Sequence, residues 1–373
     1  MPRPRTFPTL SSPVYPGSDV PCRDCVNKSA ACSCCLRPET RFTVLGVEDE
    51  ARDRFEPNWL LRNPHLQTAL GLRSRNAPDV ASEHMRITAF DGDTLNVYCD
   101  PDIADGPGAP IVLVAHGMEG SHRSPSVRRL RAGARALGWN SVALLHRSCG
   151  RKLNEAKRLY HTGETRDLAS VVRFIVERWP ERRLFVVGYS LSGSQLIHWL
   201  GNGQHVIPSQ LQAAAAVSPP FDLTVTAPAI DRALGGLYRR YFLKRLIPKA
   251  LAKARQHAGT LDESKLRAIR SLRDFDEAVT AVLHGFSGAD DYYRTASCSR
   301  HLPQIARPLL VIAAEDDPFN PSRTIPREAC AMNPHVRTVF TRRGGHCGFI
   351  AGNLRHPTYW AEERVLRFLG SIV

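Results

Sequence analysis

The chain has 373 residues, a formal net charge of +14 and a hydrophobic fraction of 43%. That is enough apolar material for a full globular core, and no apolar run approaches the roughly 18 to 20 residues that span a bilayer. Most of the positive charge is arginine spread over many segments beyond the first fifty residues, the pattern of a solvated surface; no helix-turn-helix, zinc-finger or RNA-binding signature accompanies it, so no nucleic-acid partner is expected.

The opening Met1-Pro-Arg-Pro-Arg-Thr-Phe-Pro carries arginines but no following apolar stretch, which predicts no secretory signal and a cytoplasmic location. Residues 1–45 are rich in Pro, Ser and Cys without periodicity and predict a disordered tail ahead of one domain over 46–373. Half of the ten cysteines crowd into this tail, as Cys22-Arg-Asp-Cys25 and Cys32-Ser-Cys34-Cys35. Cys-x-x-Cys is a zinc-ligand spacing, and these five thiols are the candidate metal ligands. The second group lacks a clean second knuckle and no histidine lies nearby, so reduced, reactive thiols without metal are the expectation.

Phe55 to Thr68 reads as a short helix and an apolar arm against a domain edge. Strands at His84–Phe90 and Thr94–Cys99 flank Asp91-Gly92-Asp93, a hairpin-turn signal. An alternation follows: strand Ile111–Ala115, helix Pro125–Leu137 with Ser124 as its cap, strand Ser141–Leu145 and helix Glu164–Trp179. It continues with strand Leu184–Val187, helix Ser190–Gly201 and strand Ala213–Val217. Such alternation predicts right-handed βαβ units and a mainly parallel sheet. It stops over Phe221–His301, which is helical and basic, with Tyr238, Tyr241, Phe242, Tyr292 and Tyr293 spread through it; this predicts an inserted cap. Strands resume at Pro308–Ala314 and Val336–Thr341, and Pro357–Leu369 closes the chain as a helix.

Four strand ends carry chemistry. In Leu184-Phe-Val-Val-Gly-Tyr-Ser-Leu-Ser-Gly193 an apolar strand breaks at Gly188 into a serine that opens a helix. Such a bend exposes the Ser190 hydroxyl above the sheet, where a base can take its proton. Val114-Ala-His116-Gly117-Met118-Glu119-Gly120 ends another strand, and its loop turns a backbone N–H toward the same place. Met118 N–H and Leu191 N–H are the candidate donors to a developing oxyanion. Glu315-Asp316-Asp317 and Gly344-Gly345-His346 end the last two strands. Ser190, an acid from the Asp316-Asp317 pair and His346 then follow the chain order of a nucleophile-elbow sheet; Asp317 is the expected acid, and its competitor Asp316 would then cap the turn. The expected fold is an α/β-hydrolase with a helical cap after the sixth strand. The expected chemistry is acyl-ester cleavage through an acyl-enzyme, with no cofactor; transfer of the acyl group to an alcohol would use the same residues, and a binding protein on this scaffold is the non-enzymatic alternative.

These motifs resemble the YheT-like branch of the α/β-hydrolases, the group that includes animal abhydrolase-domain phospholipases, from about Phe55 to the C-terminus. Asn63-Pro-His65-Leu-Gln-Thr68 is similar to the branch's entry motif and Leu159-Tyr-His-Thr-Gly163-Glu-Thr-Arg-Asp167 to a later segment. Phe275-Asp276, Gly285-Phe286 and Asp291-Tyr-Tyr293 resemble its cap and return. The resemblance implies a serine hydrolase of carboxylic esters or lipids with Ser190, Asp317 and His346 as its triad; Pro321, four residues beyond Asp317, has the spacing usual after that acid. A small-molecule ester or lipid is the implied substrate, and the basic cap suits peripheral contact with an anionic membrane. Two positions depart from the pattern. Ser192 stands where the branch usually has glycine, and Arg147-Ser148-Cys149-Gly150 replaces an Arg-Gly-Cys pattern; neither removes a chemical group.

Overall fold

The computed structural model describes residues 54–373 apart from 74–76, 102, 104–105, 151 and 354. The tail expected over residues 1–45, with Cys22, Cys25, Cys32, Cys34 and Cys35, lies outside the described residues. Eight strands build the main sheet: β1 (Glu83–Thr88), β2 (Thr94–Cys99), β3 (Ile111–Ala115), β4 (Asn140–Leu145), β5 (Leu184–Tyr189), β6 (Leu211–Val217), β7 (Leu309–Ala314) and β8 (Val336–Thr341). Their order is β1-β2-β4-β3-β5-β6-β7-β8. The β1–β2 hairpin and the β2–β4 pair are antiparallel, and every later pair is parallel.

A parallel strand covered on both faces must be apolar along its whole length rather than alternating, and β3, β5 and β7 are buried at every residue. The pleat divides them between two cores. Leu113, Val186 and Val311 point to one side, where Val171, Ile175, Leu196 and Ile197 meet them. Val112, Val187 and Ile312 point to the other, against Val127, Leu130, Val365 and Phe368. Each such aliphatic side chain contributes about 1.5–3 kcal/mol when fully buried.

The helices that matter for the site are α1 (Pro64–Arg73), α2 (Pro125–Ala136), α3 (Arg166–Arg178), α4 (Leu191–Gly201) and α5 (Leu223–Gln256). Ser124 occupies the N-cap position of α2, but its hydroxyl accepts from Ser121 N–H at 2.9 Å and makes no cap bond to the helix. α3 starts two residues later than the periodicity suggests: Glu164 N–H closes a turn on His161 O, and its carboxylate, held by Arg158 and Arg166, accepts from Arg166 N–H at the helix start. The closing helix also starts late, at Trp360: Pro357–Tyr359 pairs with Ile350–Gly352 as a small antiparallel ribbon.

Between β6 and β7 lies the helical cap. α5 breaks into two arms at Ala233–Gly236, where Leu234, Gly235 and Gly236 all have positive φ. Its second arm packs Tyr238, Phe242 and Leu246 against Leu266, Phe275 and Phe319. Among the described residues no helix is long and apolar enough to cross a membrane.

Several buried charges are paired. The Arg147 guanidinium, at the end of β4, reaches Asp91 at 2.9 Å, Asp93 at 2.9 Å and Asp167 at 2.6 Å. The hairpin turn read from Asp91-Gly92-Asp93 therefore also anchors the β1–β2 edge to the sheet. Ser148, one of the two departures, has φ +59, a conformation that favours glycine. Its hydroxyl donates to Asn154 Oδ1 at 2.6 Å, which offsets part of the backbone cost.

Candidate active site

β5 ends at Tyr189 and α4 begins at Leu191, so Ser190 alone turns the chain, with φ +51 and ψ −119. A side chain is rarely found in this region, and the conformation persists only where its surroundings over-determine it. Ser190 N–H donates to Val217 O at 2.8 Å, tying the bend to the end of β6. Gly188 lets the helix close over the strand: a Cβ there would lie 2.3 Å from Ser192 O. Leu191 N–H, in the first turn of α4, belongs to the donors that lack an intrahelical acceptor.

His346 Nε2 lies 2.8 Å from Ser190 Oγ, and His346 Nδ1 lies 2.8 Å from Asp317 Oδ2. The three side chains predicted to act together are thus in one hydrogen-bonded line. Asp317 is itself held by Phe319 N–H at 2.8 Å, Asn320 N–H at 3.1 Å and Asn320 Nδ2 at 3.1 Å. Asp316 points elsewhere. Its Oδ1 accepts from Gly345 N–H at 2.9 Å, so it braces the loop that carries His346 rather than its own turn. Burial favours the neutral imidazole of His346, but the neighbouring Asp317 charge outweighs it and raises the pKa above the ordinary histidine value.

The His116–Gly120 loop faces Ser190, and a Cβ on Gly117 would lie 3.0 Å from Ser190 Cβ. Gly117 O accepts from Gly120 N–H at 3.1 Å and from His116 Nδ1 at 2.7 Å. His116 Nε2 accepts from His146 N–H at 3.2 Å, which leaves the proton on Nδ1. Because a trans peptide sets N–H opposite C=O, fixing Gly117 O also fixes the direction of Met118 N–H. Ser192 joins this arrangement: its hydroxyl donates to His116 O at 2.5 Å and accepts from His146 Nε2 at 2.7 Å. The Ser192 hydroxymethyl, the other departure, therefore fits and holds the loop.

Above these groups is a cavity of about 220 Å³, lined by Ser190, His346, Met118 and Leu191 and by cap residues. Of the five cap aromatics singled out in the sequence, Tyr241, Phe242, Tyr292 and Tyr293 line it. Tyr238 instead stacks on His65 with ring centroids 5.9 Å apart and packs on Phe319. Within the cap, Asp276 is half-buried on the cavity wall and accepts from Thr280 and Tyr293 hydroxyls at 2.7 and 2.8 Å; loss of solvent around its carboxyl pushes its pKa up to about 7. His161, Glu164 and His284 bring ligand-type atoms within 4.8 Å of one another. Arg158 and Arg166 already neutralise that carboxylate, so the trio suits a divalent cation poorly.

Several residues escape a reading by local pattern. Thr68 in α1 accepts from His346 N–H at 2.9 Å. Gln67 bridges the entry arm to the chain beyond His346, donating to Leu61 O and Ile350 O and accepting from Ile350 N–H. Glu119 is bonded by Tyr160 and by Lys249 of the cap. The entry motif was the available signal for Gln67 and Thr68, and Glu119 lies inside the His-Gly loop; nothing local marks Lys249 among the many basic residues of α5.

Residues 110–352 match the family model for the alpha/beta hydrolase fold. The chain is 35% identical over 313 residues to YheT of Escherichia coli (strain K12), covering 83% of this chain and 91% of that protein. It is 30% identical to the phospholipase ABHD3 of Mus musculus, over 76% of this chain and 68% of the relative. A monoacylglycerol lipase of Saccharomyces cerevisiae is 26% identical, over 83% and 72% of the two chains. Among solved structures, an esterase from Pyrococcus furiosus superposes with a TM-score of 0.52 at 18% identity, covering 86% of this chain and 96% of that one; this likeness concerns the fold. With a mainly parallel eight-stranded sheet, a cap after β6 and these relatives, the chain belongs to the YheT-like branch of the α/β-hydrolases.

Proposed function

We propose that the protein is a serine hydrolase that cleaves carboxylic esters of apolar acyl chains through an acyl-enzyme. The observation that carries this reading is the line of contacts Ser190–His346–Asp317 at a strained elbow beneath an apolar cavity. In the proposed reaction Ser190 Oγ attacks the ester carbonyl while His346 Nε2 takes its proton. Asp317 holds the imidazole through Nδ1 and stabilises the imidazolium. Met118 N–H and Leu191 N–H stabilise the negative charge on the former carbonyl oxygen. His346 returns the proton to the departing alcohol, and water, activated by the same imidazole, then cleaves the acyl-enzyme. The proposal uses no cofactor.

Phospholipase and monoacylglycerol lipase are the names of two relatives, and the cavity supports a related substrate class here, since cap residues such as Phe242, Leu246 and Phe275 line it. The cavity rim supports peripheral contact with an anionic membrane. Leu72 and Tyr241 line the cavity yet are 47% and 41% exposed, and Leu237, one helical turn before Tyr241, is 54% exposed. Arg239, Arg240, Lys244 and Arg245 stand on the same arm of α5, the composition that binds anionic lipid headgroups.

Asp317→Asn should lower kcat by at least about 10³-fold. Asp316→Asn keeps an oxygen for Gly345 N–H and should cost about 1 kcal/mol, roughly fivefold. The ranking is read from steady-state kinetics, and a reversed order would move the role to Asp316. The base must be neutral to act and its pKa is raised, so kcat/KM should climb with pH along a limb whose midpoint lies above 6.5. A midpoint at or below 6.5 would contradict the coupling of His346 to a charged Asp317. Across p-nitrophenyl esters from two to twelve carbons, kcat/KM should rise with chain length and rise further with vesicles containing phosphatidylglycerol. A profile flat in both would remove the support for lipid substrates.

A further inference from the structure

The loop that carries Met118 is gripped from two sides. Beneath it, Ser192 and His146 hold the His116 carbonyl. Above it, Glu119 has φ +57, an uncommon conformation for a residue with a side chain. Its N–H donates to Tyr160 Oη at 2.9 Å, and Tyr160 donates back to Glu119 Oε1 at 2.7 Å. Both carboxylate oxygens accept from Lys249 Nζ, at 2.8 and 2.7 Å. The Glu119 side chain is only 3% exposed, whereas Lys249 is 21% exposed and belongs to the cap. A carboxylate so buried needs a partner, and removing that partner is costly because the remaining charge is left uncompensated.

The peptides on either side of Met118 therefore answer to different parts of the molecule. The Gly117–Met118 peptide is oriented by Gly120 and His116. The Met118–Glu119 peptide is oriented by Tyr160, which the Glu119–Lys249 ion pair locks in place. Met118 itself packs on the cap core. We propose that Lys249 and Glu119 are positioning residues: the ion pair from the cap holds Glu119 in the left-handed conformation that lets Gly120 N–H close back on Gly117 O, and that bond sets the direction of Met118 N–H toward the developing oxyanion. This rests on the serine-hydrolase reading above. It also gives the cap a role in rate, since a cap arm that is displaced would release the donor.

Removing an oxyanion donor outright costs about 10²–10³ in kcat, and misaiming one should cost a fraction of that. Lys249→Met should lower kcat about tenfold with KM within about twofold of wild type, and should weaken a boronic acid that adds reversibly to Ser190 by the same factor as kcat/KM. Lys249→Arg, which keeps the charge, should recover most of the rate. Tyr160→Phe removes the bonds to Glu119 N–H and Oε1 while keeping Lys249, so it separates this role from loss of the cap's ion pair; it should show the same split between kcat and KM. The proposal is overturned if both variants lose activity through KM alone, or if both keep wild-type kcat and boronic-acid affinity. A wild-type protein with no ester turnover and no boronic-acid binding would instead remove the hydrolase reading on which the proposal stands.

Discussion

The backbone of α4 passes so close to the end of β5 that only hydrogen fits on Gly188, and the rest of the site follows from that approach. The close crossing forces Ser190 into a left-handed bend and lifts its hydroxyl toward His346. The same crossing places Leu191 at the free N-terminus of α4 and swings the Ser192 hydroxyl under the His116 carbonyl. A residue in such a conformation costs of order 1–3 kcal/mol. The fully buried aliphatic side chains of β5 and α4, each contributing about 1.5–3 kcal/mol, hold it there. Candidate nucleophile, candidate donor and loop support are thus one local consequence of strand-to-helix packing.

Electrostatics completes what packing begins. The chain carries +14 overall, yet several charges buried around the site are acidic and each has a partner: Asp317 with His346, Glu119 with Lys249, Glu164 with Arg158 and Arg166, and Asp93 with Arg147. A buried carboxylate left without a partner is costly to keep charged. The Asp317 charge is what keeps the His346 pKa raised despite burial. Other basic side chains face outward, Arg240, Lys244 and Arg245 of the cap among them.

Much of this was legible in the residue order. Continuous apolar runs mark β3, β5 and β7, and even the alanine-rich β6 lies where its place in the alternation puts it, lengthened by two residues. The alternation ends where the cap begins. The four polar strand ends do converge, because parallel strands bring their carboxyl ends to one edge of the sheet. The support of the site was harder to read. Thr68 bonds a residue 278 positions away, and no local signal carries that contact. Ser192 looks from its place in the elbow like a side chain to be accommodated, whereas its two hydrogen bonds depend on His116 and His146 at the ends of other strands. Lys249 is one basic residue among many on α5 until the fold sets it against Glu119. The late starts of α3 and of the closing helix come from a turn closed on His161 O and a ribbon closed by Ile350–Gly352. Periodicity reports which face is apolar; it does not report which polar atoms meet across the fold.

The most direct test of the account is covalent. A fluorophosphonate probe, followed by peptide mass spectrometry, reads which side chain is the activated nucleophile. The account predicts one adduct, on Ser190 within the Tyr189–Ser194 segment, formed by the wild type and absent from Ser190→Ala, whose ester turnover falls by at least about 10³-fold. Undiminished turnover in Ser190→Ala, or an adduct on another residue that accounts for the activity, would contradict it.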